Sequence, residues 1–164
     1  MIKTNKPSVL VTGATGFIGG RLAQRLVESG YLVKLLVRNR DKLAPSLCSA
    51  CEIVQGDLAD FAALVSSVRD VSIIYHCAAN VNTWDSWNAY YATNVLGVKN
   101  LLNTIETEGP NLSRLVHLST VDVYGFPADP CDEECDLTGR GFSFGETKLL
   151  GESLVTTIGA DSYT

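Results

Sequence analysis

The sequence predicts an α/β fold built on an open, doubly wound parallel sheet. Short apolar runs rich in β-formers alternate with amphipathic stretches along all 164 residues. The run at 71–79 is almost continuously apolar, which is typical of a parallel strand covered on both faces. No repeat or linker interrupts the alternation. Strands that alternate with helices pair in parallel through right-handed crossovers, so one domain spanning residues 1–164 is expected.

Each element follows from its own pattern. In 17–29, Ile18, Leu22 and Leu26 recur at a spacing of four, and Gly30 ends the helix. A loop rich in proline, glycine and acids is predicted at 122–142, and residues 161–164 resemble the start of another strand. The predicted strands are Ser8–Thr12, Leu32–Val37, Glu52–Gln55, 71–79 and 114–121, and the predicted helices are 17–29, 60–69, 88–108 and 143–157.

Composition argues against several classes of partner. The net charge is −5, so the chain lacks the basic surplus that neutralises phosphates, and no nucleic acid is expected. No apolar run approaches the roughly 18–20 residues of a membrane helix, so no membrane partner is expected. The apolar stretch before Thr12 has three residues, too few for a signal peptide. A cytoplasmic location with reduced thiols is therefore expected.

The five cysteines allow two interpretations. Cys48 and Cys51, with Cys131 and Cys135, are two close pairs that would suit a four-cysteine zinc site. The second spacing is loose and neither pair has the glycines of a zinc knuckle. This favours free thiols on loops, no metal, and Cys77 as a small core residue.

A glycine-rich turn joins the first predicted strand to the first helix. Gly13 allows the tight turn, Gly16 allows a pyrophosphate to approach the backbone, and Gly19 allows the helix to pack against the strand. The helix N-terminus then presents free N–H groups to an anion at Thr15, Gly16, Phe17 and Ile18. The alternative is a turn that needs glycine for its conformation alone.

Further motifs follow the later strands. They are TGATGFIG at 12–19, Gly56-Asp57-Leu58, His76-Cys77-Ala78-Ala79, Asn94-Val95-Leu96-Gly97, Leu118-Ser119-Thr120 and Val123-Tyr124-Gly125. Through them, residues 8–155 resemble the short-chain dehydrogenase/reductase superfamily, in its extended epimerase/dehydratase-like branch. The resemblance implies a Rossmann-type fold that binds a nicotinamide dinucleotide. Extended relatives are about twice as long, so the chain is expected to be truncated before the substrate domain.

The choice of dinucleotide depends on the end of the second strand. No acidic residue lies between Glu28 and Asp41, whereas Arg38 ends the strand. A guanidinium suits a 2′-phosphate, so NADP(H) is expected over NAD(H), with a solvated surface arginine as the alternative. The resemblance implies further cofactor-binding residues: Asp57 at the adenine, Ala78 and Ala79 beside the ribose, and Leu58, Asn94, Ser119 and Lys148.

The catalytic positions come from the same resemblance. Relatives use a tyrosine as the proton carrier, a Ser or Thr that binds the reacting oxygen, and a lysine four residues after the tyrosine. Thr120 and Lys148 match the last two positions, but Phe144 occupies the tyrosine position. Phenylalanine has no ionisable hydroxyl. Cofactor binding is therefore expected, and activity is in question.

Three functions remain open from the sequence. The first is hydride transfer at a carbonyl or hydroxyl carbon of an unknown small molecule, and the second is a non-catalytic dinucleotide-binding module. The third is an interaction protein, since relatives pair through the long helix and the helix of Phe144 to Lys148. The loops 80–87 and 122–142 would line a substrate mouth, where Trp84 and Trp87 either stack on a ligand or anchor a loop. His76 and His117 are expected to be packed core residues rather than catalytic ones.

Overall fold

Five parallel strands form one sheet in the order β3-β2-β1-β4-β5. The computed structural model describes residues 7–108, 112–125, 127–138 and 141–159. The strand suggested at 161–164 lies outside the described residues. The strands are β1 Ser8–Thr12, β2 Leu32–Val37, β3 Glu52–Gln55, β4 Ile73–His76 and β5 Arg114–His117.

Helices cover both faces of this sheet, so the doubly wound α/β fold is confirmed. One apolar core lies between α1 and the side chains of Val9, Val11 and Leu35. The second lies on the opposite face, where Leu10 and Ile74 pack against α3 and α5. The helices are α1 Phe17–Glu28, α2 Pro45–Ala50, α3 Phe61–Val68, α4 Trp87–Tyr91, α5 Gly97–Glu108 and α6 Ser143–Gly159.

The predicted bounds of the fourth and fifth strands were wrong. The strand expected at 71–79 is paired only over Ile73–His76, because beyond His76 the chain leaves the sheet and the Ala78 N–H donates to the Thr12 hydroxyl. The strand expected at 114–121 ends at His117, because residues Val121–Tyr124 coil into a 3-10 turn capped by the Thr120 side chain. Both chain exits lie at the carboxyl edge of the sheet.

The long helix predicted at 88–108 contains a π-helical turn. The π turn covers Ala92–Leu96 and joins α4 to α5 without a break. Asn94 is buried in this turn. Such turns occur mostly at functional sites, because the extra residue redirects a side chain. The short helix α2 was missed: Pro45 at its first position is its main sequence signal.

A charged residue within β2 holds a helix end. Lys34 is buried, and its ammonium donates to the carbonyls of Ser66 and Arg69 at the C-terminus of α3. It also pairs with the exposed Glu52 carboxylate at 3.2 Å. A cation there satisfies carbonyls that the helix leaves unpaired.

The expectation that all five cysteines are free thiols is wrong for one pair. Cys131 and Cys135 form a disulfide, since the turn in which the Cys135 N–H donates to the Asp132 carbonyl brings their Cα atoms to 5.8 Å. The other three, Cys48, Cys51 and Cys77, are free. Within the described residues, no group of three or more His, Cys, Asp or Glu side chains is arranged to hold a metal ion. None of the helices described has the length and apolar character needed to span a bilayer.

Candidate cofactor and active site

The glycine turn is wedged against the end of β4. Gly13 has φ +74°, and a Cβ there would lie 2.7 Å from the Ala78 nitrogen. A Cβ on Gly19 would collide with the Gly13 carbonyl. Only glycine allows this left-handed turn and this close approach. The turn is therefore built by backbone-to-backbone contact between β1, α1 and the chain after β4.

The N-terminus of α1 opens outward from this turn. Gly16 caps the helix with no side-chain hydrogen bond, and the first turn carries no acidic residue. Thr15, Phe17 and Ile18 are exposed. A Cβ on Gly16 would meet only the Gly13 oxygen, at 3.3 Å, and otherwise open space. Unshielded N–H groups and the positive helix end fit the pyrophosphate of a dinucleotide.

Thr12 ties the glycine turn to β4, a role that the sequence analysis missed. Its hydroxyl accepts from the Ala78 N–H at 3.2 Å and lies 2.8 Å from His76 Nδ1. The hydroxyl can make both hydrogen bonds when it donates its own proton to Nδ1. The imidazole proton of His76 is then on Nε2. The sequence signal was a threonine that ends β1 directly before the first glycine.

Arg38 stands at the carboxyl end of β2, where the adenosine end of a dinucleotide would lie. Its side chain is 81% exposed, and its Nε is 3.8 Å from the Asp57 carboxylate. Asp57 also accepts from the Ala59 N–H, which holds the turn after β3. The structure therefore brings Arg38 and Asp57, which were predicted separately for the 2′-phosphate and the adenine, within 3.8 Å of each other.

The remaining predicted cofactor residues differ in burial. The side chain of Leu58 is buried in the second core and presses on Gly97. Ala78 and Ala79 are half-buried beside the glycine turn. Asn94 is buried: its side chain bonds the main chain of Asn80 in both directions and donates to Thr147 on α6. Asn94 thus joins the loop after β4 to α6.

Lys148 projects from α6 toward the end of β5. Its ammonium donates to the Leu118 carbonyl, and the residue is only 4% exposed. Burial lowers the pKa of Lys148 to about 8, while Glu152 and Cys77 act in the opposite direction. A lysine so placed changes charge near neutral pH.

Thr120 and Phe144 lie in the segments that flank Lys148. The Thr120 hydroxyl donates to the Asp122 carboxylate at 2.7 Å, so the 3-10 turn after β5 holds it. The Phe144 ring centroid lies 6.0 Å from the Tyr90 ring and 6.1 Å from the Phe142 ring. The Phe144 ring is therefore in contact with two other aromatic rings.

Tyr90 does not replace the missing phenol. Its hydroxyl donates to the Asn82 carbonyl and accepts from the Asp85 N–H. Both bonds hold the loop 80–87, which Asp85 also ties together by accepting from Asn80 and Asn82. These bonds and the Ser86 N–H lower the pKa of Asp85. The phenol of Tyr90 is thus engaged in loop structure.

The two tryptophans of that loop differ. Trp84 is 94% exposed. The Trp87 ring stacks on Tyr91 at 6.1 Å between centroids, so it anchors the start of α4. The anchoring interpretation fits Trp87, whereas the Trp84 side chain is exposed.

His76 and His117 end adjacent strands and stack on each other, with ring centroids 5.4 Å apart. His76 is 1% exposed. Burial, with His117 and Lys148 nearby, lowers the pKa of His76 to about 3, and burial with Lys148 lowers that of His117 to about 4. Neutral, stacked rings favour the packed-core interpretation.

The fold and these motifs match one family along almost the whole chain. The model of the NAD dependent epimerase/dehydratase family matches residues 9–163. The chain belongs to this family. The resemblance to the short-chain dehydrogenase/reductase superfamily is thereby confirmed. The solved structures similar to this chain include a protein of that superfamily from Agrobacterium tumefaciens with bound NAD. That protein is 30% identical over 92% of this chain and 44% of its own, with a TM-score of 0.79.

Two further members show the range of the family. The 2-alkyl-3-oxoalkanoate reductase of Stenotrophomonas maltophilia is 35% identical over 70% of this chain and 34% of its own length. A mutant of the UDP-glucuronic acid 4-epimerase of Bacillus cereus, with phenylalanine replacing one tyrosine, was solved with NAD and UDP-4-deoxy-4-fluoro-glucuronic acid. It is 26% identical over 94% of this chain and 52% of its own, with a TM-score of 0.81. The chain thus spans about a third to a half of these relatives.

Proposed function

We propose that the chain is the dinucleotide-binding half of an NAD(P)-dependent oxidoreductase or epimerase. The glycine turn carries this proposal, because its backbone contacts leave the α1 N-terminus open to an anion. A bound nicotinamide dinucleotide supplies or accepts hydride at a carbonyl or hydroxyl carbon. The interaction-protein hypothesis gives no reason for a turn of this shape.

The residues at the other end of the site have separate tasks. Thr120 binds the reacting oxygen, and Lys148 holds the nicotinamide ribose and lends positive charge. Phe144 keeps an aromatic ring in the tyrosine position but cannot exchange a proton. Losing a positioned acid or base costs a factor of about 10²–10⁴ in rate. The chain as it stands is expected to bind cofactor and turn over little substrate.

A non-catalytic dinucleotide-binding module is the second candidate, and Phe144 favours it. The Bacillus cereus mutant supports the idea that a family member with a tyrosine-to-phenylalanine change still holds both NAD and a sugar nucleotide. In this alternative Lys148 and the glycine turn serve binding alone.

We also propose a preference for NADP(H), supported by the exposed Arg38 guanidinium and the lack of an acid between Glu28 and Asp41. The neighbours described above contain NAD, so the two cofactors must be compared directly. Ligands of the relatives make a carbonyl compound or a nucleotide sugar the candidate substrate, with Trp84 at the mouth.

Two further expectations concern the oligomeric state of the chain and its location in the cell. Exposed Leu96 and Leu150, on the long helix and α6, support a homodimer through these helices, which sedimentation velocity would test. A cytoplasmic location stays a prediction.

Titration calorimetry with NADPH and NADH tests the proposed function. Gly16→Val should abolish binding while the melting temperature changes little, because its side chain would enter the open space at the helix N-terminus. Gln24→Val adds a β-branched residue at an exposed site further along α1 and should bind normally. Unchanged affinity in Gly16→Val, or a folded parent chain that binds neither nucleotide, would overturn the proposal.

A further inference from the structure

Helix α6 meets the end of β5 through two consecutive helical turns. Lys148 donates to the Leu118 carbonyl, and Glu152 accepts a hydrogen bond from the Ser119 hydroxyl. Residues four apart lie on one face of a helix, so both side chains reach the same strip of main chain. That strip leads directly into Thr120.

The position of α6 is fixed by close backbone contacts. A Cβ on Gly145 would lie 3.0 Å from the Asp122 carbonyl, and one on Gly151 would collide with the Asn94 carbonyl. The helix therefore rests on both the 3-10 turn and the π turn. Glu152 follows Gly151 directly, so this contact also fixes where its carboxylate points.

The charge of Glu152 raises the pKa of Lys148, against the larger effect of burial. The rings of His76 and His117 are neutral at pH 7, and burial raises the pKa of the Cys77 thiol. Asp122, on the 3-10 turn packed against α6, accepts from Thr120. The titratable residues on α4 and α5, which also pack on α6, are Tyr90, Tyr91, Lys99, Glu106 and Glu108.

We propose that Glu152 is a positioning residue, which anchors Ser119 beside Thr120 and supplies the negative charge that Lys148 faces. Its link to cofactor binding rests on the proposed function, because Lys148 is there assigned to the ribose. The anchoring and the charge are properties of the chain without cofactor. Both can therefore be measured independently of any ligand.

Glu152→Gln separates the charge from the hydrogen bond, because glutamine keeps an acceptor oxygen for Ser119. The Lys148 side chain is followed by NMR in the cofactor-free protein with labelled lysine, and Lys148→Arg assigns its signal. In Glu152→Gln the titration midpoint of Lys148 should fall by about one unit, since an opposite charge has been removed. Glu146→Gln removes a carboxylate from an exposed position of the same helix and should leave the midpoint unchanged.

Ser119→Ala tests the anchor while keeping the charge. Amide hydrogen exchange at residues 118–120 should become at least severalfold faster, and the Lys148 midpoint should move less than in Glu152→Gln. An unchanged Lys148 midpoint in Glu152→Gln would overturn the charge role, and unchanged exchange in Ser119→Ala would overturn the anchor. If Glu152→Gln does not fold, the exchange result still decides the anchoring role.

A titration with NADPH tests the proposed function separately from the role proposed for Glu152. A parent chain that binds no dinucleotide contradicts the function and leaves the Lys148 result standing. Where binding occurs, the pH at which affinity drops should fall in Glu152→Gln together with the Lys148 midpoint. Affinity that drops at the parent's pH would show that Lys148 is not the group whose charge binding requires.

Discussion

The glycine-turn region, from β1 to α1, and the β5–α6 region, which the proposed function assigns to one site, are built by different means. The first presents main-chain N–H groups, and its shape depends on glycines packed against backbone. The second presents the side chains of Thr120, Phe144 and Lys148. If the proposed function holds, a single substitution can remove chemistry from the second region, whereas binding at the first depends on the absence of side chains. Under the proposed function, Phe144 would separate cofactor binding from catalysis.

The largest effect is expected from Phe144→Tyr, which would remove this difference between the regions. The rate should rise by a factor on the order of 10² or more, because the reacting oxygen regains a positioned acid. The measurement uses native-length protein with a panel of carbonyl compounds and sugar nucleotides that at least one form turns over. Dinucleotide affinity should be unchanged.

Phe142→Tyr is the matched control, since it adds a phenol to the neighbouring ring of the same aromatic group. It should leave the rate near that of the parent. If the parent works as fast as Phe144→Tyr on every substrate, another group carries the proton and the catalytic site is misplaced.

Lowering the pH should destabilise the folded chain through the stacked histidines at the ends of β4 and β5. The folded pKa values, about 3 for His76 and about 4 for His117, lie below the ordinary 6.5. The unfolded chain therefore binds protons that the folded chain does not, and stability is lost as the pH falls below 6.5. From pH 7 to 5.5 the free energy of unfolding should drop by about 2 kcal/mol.

Urea unfolding at pH 5.5, 6.2 and 7.0 measures this drop. His117→Phe keeps a stacked ring but cannot titrate, so about half of the drop should disappear. A pH dependence identical to that of the parent would show that His117 is protonated in the folded chain as easily as in the unfolded one.

Thr12→Val breaks the link between the glycine-turn region and the end of β4. It removes the partner of His76 Nδ1 and of the Ala78 N–H, both of which stay buried or half-buried. Leaving such groups unpaired costs about 1–3 kcal/mol. Chemical denaturation measures the loss.

Thr104→Val is its control, because this buried threonine bonds only a carbonyl of its own helix. It should destabilise the chain less. An equal loss in both variants would mean that the Thr12 contacts contribute nothing beyond those of an ordinary buried hydroxyl.

The smallest effect is expected at Arg38, the charged side chain at the end of β2. Arg38→Ala should reduce the ratio of NADPH to NADH affinity by about tenfold, the size of one charge-assisted hydrogen bond. Arg40→Ala, two residues further along, should leave the ratio near its parent value. Equal affinity of the parent for both nucleotides would identify Arg38 as a solvated surface residue.

Local signals predicted most of the fold. The strands Ser8–Thr12, Leu32–Val37 and Glu52–Gln55 agree with the prediction residue for residue, because apolar periodicity and glycine stops are local. The ends of β4 and β5 were wrong, since the Thr12 and Thr120 side chains bind the main chain there. An apolar run does not show where its hydrogen bonds go.

The sequence by itself determined the glycine turn, the lysine that projects from α6 and the phenylalanine one turn before it, because these depend on residue type at fixed spacing. Only the tertiary structure decided that Glu152 meets Ser119 across 33 positions, that His76 stacks on His117, and that Lys34 caps α3. These contacts join residues far apart in sequence. They form only where parallel strands end side by side and helices pack over them, which no local pattern encodes.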